Sequence, residues 1–343
     1  MTSEAPPFWW ENADWRAMLL TPFSALYGFA AEKRLGAKSP KIGLPVMCVG
    51  NFTIGGGGKT PTVMALAKHA LTMGLKPGIL TRGYGGSEKG PHLVDSEHDD
   101  AGHVGDEPLL MSFHAPVAVA SNRLKGAQLL QRHGCDLIIM DDGFQSARLH
   151  ADCNLLVVDA RRGIGNGHVI PAGPLRAPLL AQMRKTDALL VIGQSDGSHS
   201  DRSEPVVRAA ARAAKPVFEA RISWDDEATI KGRRFLAFAG LADPDKFFDT
   251  LQASGAWVSL TRSFPDHHHY SDDDINELMQ TAQTGGLTLV TTEKDAVRFV
   301  RGTAAAQKLA DSAMVFQIEI AFDDENAATQ LIQGTLDRFR MRT

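Results

Sequence analysis

No run of about 20 apolar residues occurs in this chain, so no segment reads as a helix able to span a bilayer. The start also lacks a basic region followed by an apolar core and a small-residue cleavage site, so no signal peptide is expected. Cysteine is scarce: three in 343 residues, an odd number without metal-site spacing. Cys48 and Cys153 sit in or beside apolar runs and Cys135 precedes one, which predicts buried thiols in a reducing compartment. Neither sign of charge dominates. The 36 basic and 40 acidic residues leave a net charge of −4, which gives no electrostatic case for nucleic acid. Internal repeats and low-complexity tracts are absent. The composition, 43% hydrophobic and 22% charged, is that of an ordinary globular protein with room for two domains.

What is present is concentrated first in residues 45–63. Pro45 to Gly50 reads as a short buried strand, Asn51 to Gly58 as a glycine-rich loop, and Thr60 onward as a helix. Val63, Leu66, Ala67, Ala70 and Leu71 share one helical face, and Pro61 sits in the first turn, where proline is accepted. The loop Asn51, Phe52, Thr53, Ile54, Gly55, Gly56, Gly57, Gly58 frees backbone N–H groups to wrap a phosphate, and the helix N-terminus adds partial positive charge. Lys59 then reaches the β- and γ-phosphates, and the Thr60 hydroxyl can ligate Mg²⁺. The spacing is irregular, because Thr53 stands where the usual phosphate-loop pattern has its first glycine.

Residues 8–35 are rich in Trp, Phe, Leu and Met, with Lys33, Arg34, Lys38 and Lys41 behind them. A broad apolar face with basic residues suits a helix lying in a membrane interface, and a helix docked on the body of the protein is the alternative. Pro22 is expected to kink or split it. Further on, a strand over 76–81 leads into Arg82-Gly83-Tyr84-Gly85-Gly86, and Gly105-Asp106-Glu107-Pro108 opens an apolar helix. A strand over 116–120 precedes Asn122-Arg123, which starts another helix. The apolar strand 136–140 ends in Asp141-Asp142, the arrangement by which a Walker B carboxylate meets Mg²⁺. Strands at 154–159 and 187–192 flank a long loop over 163–176 that ends in Arg176.

Residues 194–215 read as a connecting loop and helix. Strands near 216–222, 235–239, 256–260, 287–291 and 313–319 then alternate with helices near 244–253, 272–283 and 323–340, so a second parallel sheet is expected, joined near residue 220. Phe264-Pro-Asp266-His267-His268-His269-Tyr270 offers imidazoles for a carboxylate, although three consecutive histidines cannot easily converge on one zinc ion. Thr292-Glu-Lys294-Asp295 reads as a helix start with an acidic first turn.

Seven blocks, in order, resemble the tetraacyldisaccharide 4′-kinases, the lipid A 4′-kinases of Gram-negative bacteria. They are Val49 to Pro61, Thr81 to Gly85, Gly105 to Pro108, Met140 to Gln145, Gly165 to Arg176, Phe264 to His267 and Thr292 to Asp295. The odd spacing at Thr53 is itself similar to that family, whereas Ala177 stands where the family usually has Glu. The resemblance implies an α/β protein: a P-loop NTPase-type parallel-sheet domain over 41–220 and a smaller α/β domain over 221–343 that closes over the active site. Residues 1–40 would form an amphipathic helix at the membrane interface. It also implies transfer of the γ-phosphate of ATP to the 4′-hydroxyl of a tetraacylated glucosamine disaccharide 1-phosphate, by a peripheral protein on the cytoplasmic face of the inner membrane. Under this resemblance Asp106 is the proton acceptor and His267 orients it. Lys59 and the loop amides hold the phosphates, Thr60 with Asp141 or Asp142 holds Mg²⁺, and Arg82, Glu107, Arg123 and Arg176 face the phosphoryl group or the substrate. A nucleotide-hydrolysing switch, or a kinase or ligase for a water-soluble acceptor, would need neither the lipid-facing helix nor, for the switch, a base for a sugar hydroxyl.

Overall fold

In the computed structural model, residues 5–193, 202–224, 230 and 232–342 are described. Strand β1 (Val46–Asn51), fully buried, is the centre of the larger sheet. Around it lie β2 (Pro77–Thr81), β3 (His92–Leu93), β4 (Val117–Val119), β5 (Leu137–Asp141), β6 (Cys153–Asp159), β7 (Ala188–Gly193) and β8 (Val217–Ser223). The smaller sheet holds β9 (Arg234–Ala239), β10 (Trp257–Ser263), β11 (Thr288–Thr292) and β12 (Met314–Phe316); β13 (Glu319–Phe322) returns to the larger one. The nine-stranded order is β13-β8-β7-β6-β1-β5-β2-β4-β3, parallel except for β3 and β13 at the edges. The four-stranded order is β10-β9-β11-β12, all parallel.

Each sheet is covered on both faces, as parallel sheets must be to bury continuous Val, Ile and Leu runs. One face of the larger sheet packs Val63, Leu66 and Ala70 of α2 (Lys59–Thr72) with Leu331 and Ile332 of the last helix, Ala327–Arg342. The other packs Ala127, Leu130, Met183 and Val206. Leu71, expected on the apolar face of α2, is 49% exposed. Phe247, Phe248 and Leu251 cover one face of the smaller sheet, and Ile275, Leu278 and Leu309 the other. All three cysteines are buried and free, as their apolar neighbourhoods predicted.

The domain plan differs from expectation at two points. The join expected near 220 falls inside β8, a strand of the larger sheet. The single strand expected over 313–319 is two, because the chain leaves β12 in the small sheet and enters β13 beside β8. Residues 319–342 therefore belong with the larger sheet rather than with the smaller unit. Of the expected connection over 194–215, residues 194–201 lie outside the described residues, and the rest contains the helix Glu204–Arg212.

The N-terminal helix, α1 (Trp15–Leu35), runs through Pro22 as one helix, so of the kink or split expected there the split does not occur. Proline removes one helical hydrogen bond, but anchors beyond it hold the helix to the 169–178 segment. Ser24 Oγ donates to the Val169 carbonyl at 2.7 Å and accepts from Ala172 N at 3.0 Å. Asp14 caps the first turn by accepting from the Arg16 and Ala17 amides. The buried residues of α1 are small: Ala17, Ser24, Gly28 and Ala31. Its large ones face outward, with Trp15, Met18, Leu19, Phe23, Leu26 and Phe29 all between 65 and 72% exposed.

Candidate active site

The carboxyl ends of β1, β5 and β6, three adjacent strands, bring the phosphate loop, Asp141 and Asp159 to one edge of the larger sheet. Parallel sheets place ligands in this crevice. The helix α2 (Lys59–Thr72) begins directly after the loop. Gly58 has φ +85°, and a Cβ there would sit 2.5 Å from Ile192 Cδ1, so a larger residue would clash as well as strain the turn. Within the loop, Asn51 Nδ2 donates to the Gly55 carbonyl at 2.9 Å. Phe52 is buried, Ile54 is largely exposed, and Thr60 is buried at the start of α2, with Pro61 following it. Gly55, Gly56 and Gly57 line a small pocket with Thr53, Asp159 and Arg162.

Acidic and basic side chains interleave beside this loop. Asp142 Oδ1 lies 3.8 Å from Lys59 Nζ and 2.8 Å from Arg176 Nη1, and burial, which would raise its carboxyl, is outweighed by these cations. Arg176 also donates from Nε to the Thr53 carbonyl at 2.9 Å, which pins the 163–176 loop to the phosphate loop. Asp141 accepts from Thr81 Oγ1 at 3.3 Å through Oδ2, while Oδ1 is buried and accepts no hydrogen bond. Burial, and then the neighbouring carboxylates Glu107 and Asp142, push the Asp141 carboxyl up to about 7. Arg123 is buried against the same strand end and donates to the Asp141 carbonyl at 3.2 Å, whereas Arg82 is exposed.

A second cluster spans the two sheets. Gly105, at φ +99°, turns the chain into the helix Asp106–Ser112, and a Cβ there would lie 2.6 Å from the Tyr84 carbonyl oxygen. The turn presents Asp106 to the small domain, where its Oδ2 meets His267 Nδ1 at 2.8 Å, Arg298 Nε at 2.9 Å and Arg298 Nη2 at 2.7 Å. Burial pushes the Asp106 carboxyl up, but the hydrogen bonds from His267 and Arg298 outweigh it and hold it below the usual range. The same hydrogen bond raises His267. Arg298 is held by fully buried Asp295 at 2.6 Å, which also accepts from Tyr270 Oη at 2.8 Å and Gly240 N at 3.0 Å. Glu107 pairs with Lys294 of the small domain.

Of the three consecutive histidines only His267 reaches this cluster. His268 stacks on Phe264 and bonds Asp274 at 3.1 Å, and His269 is exposed. Beyond β6 a separate set of ion pairs joins the domains: Arg161 and Arg162 to Asp243, and Lys246 to Asp159. Sequence reasoning passed over Arg298, Asp159 and Gln145, whose Nε2 donates to the Asn51 carbonyl at 2.7 Å. The signal for Arg298 was its spacing of three from Asp295 in a helix start. Ala177 is fully buried, and its carbonyl accepts from Gln182 Nε2 at 2.7 Å.

Residues 16–337 match the family described as tetraacyldisaccharide-1-P 4′-kinase, LpxK. The tetraacyldisaccharide 4′-kinases of Brucella suis and Brucella melitensis are each 52% identical over 343 residues, covering 100% of this chain and 99% of theirs. The crystal structure of LpxK from Aquifex aeolicus in complex with ATP superposes with a TM-score of 0.73 at 29% identity, covering 93% of this chain and 99% of that one. The chain therefore belongs to the tetraacyldisaccharide 4′-kinase family, whose members phosphorylate the 4′-position of the lipid A precursor at the expense of ATP.

Proposed function

We propose that Asp106 takes the proton of the sugar 4′-hydroxyl as the γ-phosphoryl group of ATP moves, with His267 and Arg298 fixing its orientation across the domain cleft. A sugar hydroxyl is a poor nucleophile at neutral pH, so phosphoryl transfer needs a positioned acceptor for its proton. One observation carries this reading: every contact that His267 and Arg298 make with Asp106 goes to Oδ2. Oδ1 is then the oxygen that receives the hydroxyl proton. The low basicity of this ionised carboxylate suits a reaction in which the proton leaves late, as in a loose transition state.

Lys59 and the loop amides hold the β- and γ-phosphates. Mg²⁺, if held here by Thr60 and a carboxylate, would supply positive charge against the phosphates. The donors fit it: a hydroxyl and carboxylates are hard oxygen ligands, and Asp141 carries a buried oxygen without a partner. Asp141 and Thr60 are the better ligands, because Asp142 is already engaged by Arg176 and Lys59. Arg176, half-buried over the phosphate loop, balances charge on the transferring group; Arg82, which is exposed, would meet the substrate 1-phosphate, and Glu107 holds Lys294 in the seam. Arg123 serves the strand end rather than the substrate, since it is buried on the Asp141 carbonyl.

The chain acts as a peripheral protein on the cytoplasmic face of the inner membrane. Among the described residues no helix is long and apolar enough to cross a membrane. Instead α1 packs its small residues inward and presents its large apolar ones outward, with Lys33 and Arg34 in the last turn. Through Ser24 this helix is bonded to the segment that carries Arg176, so a lipid drawn from the bilayer arrives beside the phosphate loop. The test is a transfer assay with Mg-ATP that sets the tetraacylated disaccharide 1-phosphate beside its deacylated form. Rapid 4′-phosphorylation of the acylated form alone is expected; equal kcat/KM for the two would overturn lipid recognition.

A further inference from the structure

We propose that His92, Asp99 and His103 form a binding site for one Zn²⁺-type divalent metal ion, separate from the nucleotide's metal, that fixes the wall from which Asp106 projects. The phosphoryl-transfer chemistry uses none of these three residues. His92 Nε2 lies 2.7 Å from Asp99 Oδ2, and His103 Nδ1 lies 2.8 Å from Asp99 Oδ1. One ligand atom from each residue can be chosen so that all three lie within 4.8 Å of one another. Tetrahedral bonds of about 2.0–2.2 Å need ligand atoms about 3.3–3.6 Å apart, so small side-chain rotations complete the set, with water as the fourth ligand. Two imidazoles and one carboxylate favour zinc and its neighbours over Mg²⁺, which prefers an all-oxygen shell.

The surroundings are those of a metal site rather than of a chance cluster. Metal-bound histidines characteristically donate their second nitrogen to a carboxylate or carbonyl that sets the ring. His103 Nε2 faces Glu88 Oε2 at 3.3 Å, and Glu88 is itself fixed by the Lys89 and Gly90 amides, each 2.7 Å from Oε1. Asp99 is oriented by the Asp95 amide, 2.8 Å from Oδ2. Asp99 is buried while both imidazoles remain partly exposed, so an ion has an entry path to a preset carboxylate.

The location gives the ion its consequence. The Ser87 and Glu88 amides donate to the Gly102 and His103 carbonyls at 3.1 and 2.9 Å, and Asp106 follows three residues after His103. Arg301 of the small domain donates to the Asp99 carbonyl at 2.7 Å and the Ser96 carbonyl at 3.3 Å. An ion on the triad therefore ties strand β3, the 94–100 loop and the short helix Ala101–Val104 together where the small domain grips them.

The experiment uses the full chain, treated with chelator and freed of nucleotide and Mg²⁺, and titrates it with Co²⁺ and then Zn²⁺. One equivalent of Co²⁺ with intense visible tetrahedral bands is expected, displaced by Zn²⁺, with a Zn²⁺-dependent rise in Tm. His92→Ala/His103→Ala should lose the bands and the rise while retaining ATP binding. Glu88→Gln keeps every ligand and should weaken binding by about 10–100-fold, which preserves the test if the double variant fails to fold. Wild type that takes up no stoichiometric Co²⁺, or Co²⁺ binding unchanged in both variants, would overturn the site.

Discussion

His267 Nδ1 sits 2.8 Å from Asp106 Oδ2 across 161 residues of sequence, one side chain from each domain. The imidazole is delivered by backbone in the left-handed region, at φ +56°, and the His267 amide donates to the Gly240 carbonyl at 3.2 Å. A non-glycine residue in that region is held there by its surroundings at a modest energetic cost, a pattern that concentrates at functional sites. The contact exists only while the two sheets keep their relative positions, so it couples domain arrangement to the state of Asp106.

Arg298, with His267, holds the Asp106 carboxyl below the usual range. Burial alone would raise the carboxyl, and Arg298 is one of the two groups that bring it down. Arg298→Ala should therefore raise the pKa of Asp106 and move the acidic limb of the kcat/KM profile to higher pH, because a protonated carboxyl cannot accept the hydroxyl proton. Arg298→Lys should restore part of the shift. A profile that falls uniformly at all pH values would mean that Arg298 serves only to hold the fold.

The outward face of α1 should carry membrane attachment without carrying stability. Phe23, Leu26 and Phe29 are 65 to 72% exposed, so replacing all three with Ser should change Tm little. Burying each in a bilayer interface is worth about 1 kcal/mol or more, so partitioning to anionic vesicles should weaken on the order of 10²-fold. Sedimentation with vesicles is the measurement; undiminished binding would place attachment on another surface.

Both sheets, and the phosphate loop between β1 and α2, were legible in the sequence because buried parallel strands are continuous apolar runs and glycine-rich turns follow a recognisable pattern. The Asp106–His267 pairing came from resemblance, since periodicity says nothing about which loops of two domains meet. Arg298 was missed for a related reason: it lies in the turn just beyond the helix Glu293–Ala296, and its spacing from Asp295 does not point across the cleft until Asp106 is brought against it. The fate of residues 319–342 was illegible because β13 is four residues long and antiparallel, and its pairing with β8 is a long-range choice. The split allowed for at Pro22 does not occur, because propensity weighs one lost hydrogen bond but not the Ser24 anchor that offsets it.

The return of the C-terminal helix to the larger sheet makes a stability prediction. Arg342 Nε lies 2.5 Å from Asp152 Oδ1, a carboxylate with 1% of its side chain exposed, and Nη2 donates to the Ile42 and Leu44 carbonyls at 3.1 and 3.2 Å. Arg342→Ala leaves that carboxylate buried with only the Val46 amide and, at 3.7 Å, the His150 imidazole beside it, which should cost about 3 kcal/mol in denaturant unfolding. A loss below about 1 kcal/mol would show that water or another cation takes the place of the arginine.

The most direct test of the proposed base and its partner is a double-mutant cycle on kcat for the tetraacylated disaccharide 1-phosphate at saturating Mg-ATP. Asp106→Ala should lower kcat by roughly 10²–10⁴-fold, and His267→Ala should lower it as well. ATP affinity should be little changed in either variant, because neither residue belongs to the phosphate loop. If the two side chains act as one unit, the double variant should lose clearly less than the product of the single losses. Multiplicative losses, with the His267→Ala defect confined to KM for the disaccharide, would contradict the account and leave His267 as an independent substrate-binding residue.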